Sequence, residues 1–453
     1  MCTLPVRGAS TWLGKAGGAA ALAAVLGLGA CGMRKIVTWC AGLALAGVVA
    51  GGGQSPTSAQ AAGSWGRAIE VPGLGALNKG ADAIDGTGVS SISCASAGNC
   101  AAVGSYRDRY RHYQGFVAAE RNGAWGKATE VPGLGALNKG GAAFVTSVSC
   151  AAARNCVAGG SYADRPHHYQ GFVVTERNGA WGKAIEMPGL GALNKGGDAG
   201  VSAVSCGTAG NCAAAGGYAG PGSGSFVATE RNGRWGTAID VPGLEALNKG
   251  GGAGVSAVSC GAAGSCAAAG DYTGSGGDGQ GFVASERNGR WGKAAEIPGL
   301  GALNDGNADV SSVSCASAGS CAVAGTYGEP YGSGFVAVEQ NGVWGKAISV
   351  PGLAALTGRL AEATSVSCGL AGNCAVAGDY SDASGGRTQG FVAVERHGRW
   401  GTAITVPGLK ALNKGGDAYI SEVSCAPDDT CAAGGFYADR HQHFQGFVVN
   451  QTG

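Results

Sequence analysis

Three stretches of this chain carry side chains that could hold a polar ligand. Tyr106, Asp108, Arg109, His112, Tyr113 and Gln114 follow the spacing Tyr-x-Asp-Arg-x-x-His-Tyr-Gln. The spacing returns at Tyr162, Asp164, Arg165, His168, Tyr169 and Gln170, and at Tyr437, Asp439, Arg440, His443, Phe444 and Gln445. Asp accepts hydrogen bonds, the Arg fork donates them, and Tyr and Phe offer a flat apolar face. That mixture suits a sugar, its hydroxyls held by Asp and Arg and its C–H face laid on a ring. The same Arg residues would also hold a carboxylate through paired hydrogen bonds. The competing reading is that Asp and Arg pair within each stretch and that the likeness records duplication. A metal centre built from His112, His168 and His443 is not expected. Ligands must lie about 2 Å from one ion, and side chains from three separate units rarely converge so closely. No metal or other cofactor is implied.

No catalytic residue is assigned. Nucleophile elbow, His-Glu-x-x-His and phosphate-loop patterns are all missing. Glu120, Glu176, Glu230, Glu286, Glu339 and Glu395 recur at one place in six units, which reads as cross-strand ion pairing. A glycosidase would need one unique carboxylate pair rather than a set of equivalents.

The elements that must position these residues are repeats with a period of about 55 residues, close to that of propeller blades. Three markers each occur seven times. Trp-Gly begins at Trp65, Trp125, Trp181, Trp235, Trp291, Trp344 and Trp400, and Phe-Val at Phe116, Phe172, Phe226, Phe282, Phe335, Phe391 and Phe447. Cysteines pair as Cys94 with Cys100, Cys150 with Cys156, Cys206 with Cys212, Cys260 with Cys266, Cys315 with Cys321, Cys368 with Cys374 and Cys425 with Cys431. Each unit offers four strand-like segments, Ser-x-Val-Ser-Cys, Cys-Ala-x-x-Gly, Gly-Phe-Val-x-x-Glu and Trp-Gly-x-Ala-x-x-Val-Pro. The third and fourth are joined by Asn-Gly in five units, a turn that needs positive φ at both positions; His397-Gly398 departs from it. Four antiparallel strands per unit, repeated radially, predict an all-β, seven-bladed β-propeller. The array starts on a fourth strand at Trp65 and ends after a third strand at Phe447. Pairing of the two would close the ring and remove two sheet edges.

Two strand connections per unit are tight: the Cys-stapled turn and Asn-Gly. The others are long, so a site is expected on the long-loop face. There the three Tyr-x-Asp-Arg loops belong to the first, second and last blades, which ring closure makes neighbours. Ala-Leu-Asn-Lys-Gly also recurs on that face, with Asn at Asn78, Asn138, Asn194, Asn248, Asn304 and Asn413. It reads as a short helical piece that Asn and then Gly end in left-handed conformation.

Residues 1–61 are expected to be an export region and 62–453 a single domain. Met33-Arg34-Lys35, the apolar run from Ile36 to Ala50, and Ala59-Gln60-Ala61 match a signal peptide with cleavage after Ala61. Leu28-Gly29-Ala30-Cys31 resembles a lipobox, so a lipid anchor at Cys31 is the alternative. Neither apolar run calls for a stable transmembrane anchor. In an exported chain the cysteine pairs read as disulfides. A net charge of +1 gives no field to attract nucleic acid.

The motif set Val-Ser-Cys-x5-Cys-Ala, Val-Pro-Gly-Leu-x-Ala-Leu-Asn and Asn-Gly-x-Trp-Gly resembles Cys-paired repeats of uncharacterised secreted proteins from actinobacterial-type genomes, over roughly residues 64–453. The resemblance implies export and a propeller, and brings no activity with it. The expected function is a monomeric, secreted, lectin-like propeller that binds a glycan or a cell-surface protein. The alternatives are a surface scaffold without a defined ligand and a polysaccharide lyase or hydrolase.

Overall fold

A computed structural model describes residues 69–451, apart from 81–87, 97, 220–223, 305, 329–331, 358, 383–385 and 427–429. Cys31, the signal-peptide segment and Trp65 lie outside the described residues. The chain forms seven small antiparallel sheets set around one axis, a seven-bladed β-propeller. The sheets are numbered here as blades one to seven in chain order. In blade two, Ala143–Ala152 is innermost, followed outward by Asn155–Arg165 and His168–Arg177. The fourth strand is split into Ala180–Trp181 and Ile185–Glu186. Blade seven has three described strands, Ala418–Cys425, Cys431–Ala438 and Phe444–Asn450.

Sequence dictates this blade in three places. Each Cys pair sits directly opposite across the first two strands, as Cys206 does to Cys212. All seven expected disulfides are formed. Cys94 is bonded to Cys100, Cys150 to Cys156, Cys206 to Cys212 and Cys260 to Cys266. Cys315 is bonded to Cys321, Cys368 to Cys374 and Cys425 to Cys431. Asn232 and Gly233 hold φ of 47° and 76° in the third turn, and His397 adopts the same left-handed geometry at 52°. The second strand keeps a glycine in every blade, as at Gly216, because a Cβ there would overlap the carbonyl oxygen of Gly200 on the inner strand.

Blades pack through apolar layers. Phe226, Val227 and Val241 are buried between neighbouring sheets. The inner strands are also stitched: the Cys206 amide donates to Ser149 Oγ of the preceding blade at 3.0 Å, and six seams carry this bond. The Pro-Gly-Leu-x-Ala-Leu connection makes one helical turn, such as Leu134–Leu137, as expected. Its ending differs. Asn138 keeps a negative φ of −73°, and the left-handed residues are Gly133 before the turn and Gly141 beyond it. Asn138 works through its side chain, donating to Tyr113 O at 2.9 Å and accepting from the Ala142 amide at 2.8 Å.

Candidate functional site

The long-loop face presents two sets of residues, one anticipated from the repeats and one not. In the anticipated set the Asp residues shape their own loops. Asp108 Oδ1 accepts from the amides of Tyr110 and His112 at 2.8 and 3.0 Å, and Asp439 Oδ1 accepts likewise from His441 and His443. The same amide bonds hold the Asp439 carboxyl below its ordinary range. Against the competing reading of Asp–Arg pairs, the described loops pair Asp with His. His168 Nδ1 lies 2.6 Å from Asp164 Oδ1, and His112 and His443 sit 3.7 and 3.8 Å from Asp108 and Asp439. Arg109 instead stacks on Tyr110, 4.6 Å from the ring centroid, and Arg440 Nε donates to His441 Nε2 at 2.9 Å.

The tyrosines divide. Tyr106 and Tyr162 are buried and point into the blade, where the Tyr162 hydroxyl donates to Glu186 at 3.1 Å. Burial, reinforced by Glu130 and Glu186, holds both phenols well above the usual range. They support the loops and offer no face to a ligand. Tyr113 is half-buried against Phe144, with ring centroids 5.0 Å apart, and has the Arg107 guanidinium above it. Phe444 is exposed and meets Phe436 edge-on at 5.4 Å. Gln114 and Gln170 are anchored by Asn138 and Asn194.

The first two loops are continuous. Tyr113 N donates to Gly141 O, and Gly140 N donates to Ala163 O, so the connection into blade two bridges them. The third loop rests on its own connection, with Gln442 Nε2 donating to Gly415 O. The connection that would join it to the first loop falls at 81–87, outside the described residues.

The second set lines the channel. Just inside the long-loop face, each inner strand pairs one residue with the second strand: Gly88 with Ser105, Phe144 with Ser161, Gly200 with Gly217, Gly254 with Asp271, Asp309 with Thr326, Glu362 with Asp379, and Tyr419 with Phe436. At this one level, blades four to six contribute four carboxyl groups and blades seven and two contribute aromatic rings. Burial and then the charge of Asp309 push Asp271 up to about 7. Burial and then Glu362 push Asp379 up to about 8. Glu362 is raised by burial and by Asp309. Tyr419 is raised too, by burial and by nearby acids that include Asp379 and Glu362. The arc Asp271–Asp309–Glu362–Asp379–Tyr419 is thus one electrostatic unit, with protons held on some carboxyls at neutral pH. Such groups can both donate to and accept from a hydroxyl. Among the described residues no His, Cys, Asp and Glu cluster is arranged to hold a metal ion.

The disulfides and the recurrent glutamates sit on the opposite, tight-turn face. Cys100, Cys156, Cys212, Cys266, Cys321, Cys374 and Cys431 open the second strands just past the first turn, at the far end from the channel-mouth level. They staple that turn and take no part in the site. Three of the glutamates, Glu176, Glu230 and Glu339, pair with arginines across blades rather than across strands, as Glu230 does with Arg177 at 3.4 Å.

No protein-family model and no curated protein matches the chain. Solved structures match in fold. Sqt1 from Chaetomium thermophilum is 13% identical with a TM-score of 0.44, over 77% of this chain and 80% of that one. The Hadza microbial sialidase Hz136 is 10% identical at 0.37, over 80% and 65%. The Aleuria aurantia lectin in complex with alpha-methyl-L-fucoside is 13% identical at 0.32, over 71% and 96%. At these identities and TM-scores the likeness carries no inference about this chain.

Proposed function

We propose that the chain is a secreted ligand-binding propeller whose ligand is a glycan seated at the long-loop mouth of the channel. The observation that carries this reading is the acidic arc of blades four to six on the same level as Phe144, Tyr419 and Phe436. Carboxyls in two protonation states match sugar hydroxyls, which both donate and accept, and ring faces match sugar C–H faces. The exposed Arg109, Arg165, His443 and Phe444 of the outer loops extend the surface from the mouth. Export is supported by seven disulfides, by the signal-like segment ending at Ala61, and by the resemblance to secreted repeat proteins. Among the described residues no helix is long and apolar enough to cross a membrane.

A glycan array probed with the mature protein tests this reading. Replacing Glu362→Gln together with Asp379→Asn is expected to weaken the best ligand by about tenfold or more, the loss of two hydrogen bonds involving charged groups. Unchanged binding in a triple Ala variant at Arg109, Arg165 and Arg440 would remove the loop patch and leave the mouth. Retention of no glycan at all would favour the scaffold alternative.

One observation favours a second reading. Glu362 and Asp379 are direct cross-strand partners, and burial keeps a proton on Asp379 near neutrality. Glycoside hydrolysis requires two carboxyls in different protonation states flanking the scissile bond, about 5–9.5 Å apart, and this pair meets the first condition. Release of reducing ends from a polysaccharide panel, lost in either single variant, would move the assignment from binding to turnover.

A further inference from the structure

On the tight-turn face three seams carry the same clamp, and the seam between blades five and six lacks its cation. In the regular clamp an Arg ending the third strand of one blade reaches a buried Glu of the next: Arg121 to Glu176 at 3.8 Å, Arg177 to Glu230 at 3.4 Å and Arg287 to Glu339 at 3.1 Å. The same guanidinium donates to a carbonyl in the next hairpin, on Gly179, Gly233 or Gly342. A hydroxyl two residues before the Arg often adds a bond, from Thr229 to Glu286 at 2.6 Å and from Ser285 to Glu339 at 3.0 Å. Those hydroxyls also accept from the indoles of Trp291 and Trp344.

Between blades five and six, Gln340 stands at the Arg position and Val338 at the hydroxyl position. Glu395 remains, 1% exposed, and neither of its oxygens has a hydrogen-bond partner. Trp400 Nε1 has none either. A small cleft of about 10 Å³, room for about one water, lies there, bordered by Val338, Gln340, Leu370, Gly372 and Glu395. A buried carboxyl without a partner is costly, and the other seams identify the group that would complete it.

We infer that the seam between blades five and six binds a guanidinium group from outside the chain, held by the Glu395 carboxylate and the Gly398 carbonyl. The acceptor pair is the one that takes a guanidinium in the other clamps. A guanidinium enters by displacing the Gln340 side chain, whose Nε2 lies against Gly398, and takes the place of the clamp arginines, which are 49–57% exposed over carboxylates that are 0–2% exposed. The planar fork, which reaches two acceptors at once, fits better than a compact ammonium. Burial alone lifts Glu395 to about 7, so binding strengthens with rising pH as its proton leaves. The site lies on the face opposite the glycan mouth and is independent of that reading.

Calorimetric titration of the mature protein with methylguanidinium at pH 8 tests it. Saturable binding is expected, about tenfold tighter than for methylammonium, with a loss of about tenfold in Glu395→Gln. Gln340→Arg, which supplies the clamp from within, should abolish binding and raise the melting temperature. N-acetylarginine amide and an arginine-containing peptide separate the sources: a peptide binding more tightly than either small cation identifies a polypeptide arginine, and equal affinities identify a free guanidinium ligand. No saturable binding by the unsubstituted protein, or equal binding by it and Gln340→Arg, overturns the inference.

Discussion

A carboxyl enclosed by protein and set beside another carboxyl keeps its proton well above the pH at which it would lose it in water. Asp271 and Asp379 are in that position, at about 7 and 8, and burial alone brings Glu395 to about 7. Their folded-state values are raised above the unfolded ones, so between about pH 4 and pH 8 the folded chain binds more protons than the unfolded chain. The contribution of these groups to stability should therefore be highest at and below about pH 4 and fall until about pH 8, opposite to a protein held by ionised, paired acids. Melting temperature followed from pH 5 to pH 8.5 checks this, and Asp379→Asn should flatten the curve while adding about 1–3 kcal/mol at pH 8. A melting temperature that climbs over that range would mean these carboxyls are paired or solvated. These residues were the least legible in the sequence, for a physical reason. A repeat displays what every blade needs, whereas Asp309, Glu362 and Asp379 occupy positions that most blades fill with small or aromatic residues. The visible signal was departure from the pattern, the same kind of signal as Gln340 and Val338. By contrast the recurring spacing of Asp108, Asp164 and Asp439 serves loop geometry, which is why it repeats.

At the scale of the strand, the pattern was legible because close packing leaves few choices. A glycine in every second strand marks the point where the inner strand's carbonyl crosses closest, and the direct opposition of each Cys pair follows from a short turn. Adjacent glycines separate such a requirement from habit. At Gly216 a Cβ would overlap Gly200 O and press on Phe226, whereas at Gly217 it meets only Gly224 O at an ordinary 3.6 Å. Gly216→Ala should cost about 2 kcal/mol or more through overpacking. Gly217→Ala should stay within about 0.5 kcal/mol and can stabilise by restricting the unfolded chain. Chemical denaturation of the two variants gives the comparison, and equal costs would mean that the strand tolerates a shift there. The connection between blades is less legible. Pro-Gly-Leu-x-Ala-Leu announces the helical turn, but the Asn-then-Gly spacing points to left-handed backbone at Asn138, where φ is −73°. Its side chain instead pins the neighbouring loop, a tertiary role that local turn chemistry does not reveal.

The whole molecule turns on its seventh seam. At five seams a Cβ on the glycine before the buried Phe would run into the leucine of the next connection: Gly115 into Leu134, Gly171 into Leu190, Gly281 into Leu300, Gly334 into Leu353 and Gly390 into Leu409. A Cβ on Gly446 would meet only Gly435 O, at 4.0 Å, and Phe447 is half-exposed where its six counterparts are fully buried. The Ser–Cys stitch that joins the other inner strands is not made between Ser424 and Cys94 among the described residues. Ile69 and Val448 are 61% and 49% exposed, and blade seven has no described fourth strand. The repeat nonetheless specifies the partner, because Val117 pairs with Thr129 in blade one, and the same offsets set Val448 opposite Ile69 with Trp65 just beyond. Ile69→Cys combined with Val448→Cys should therefore bridge spontaneously on export. The bridge would join the two ends of the ring and raise the melting temperature, the span being long enough to reach the upper end of disulfide stabilisation, about 4–5 kcal/mol. Mass spectrometry of the non-reduced protein reads the bridge directly. Removal of residues up to Glu70 should lower stability and leave Phe447 reactive to solvent probes. If the two cysteines stay free in the folded protein, the blades form an open arc. The loops at His112 and His443 then cannot share a ligand, and the channel-mouth carboxyls stand as the site without them.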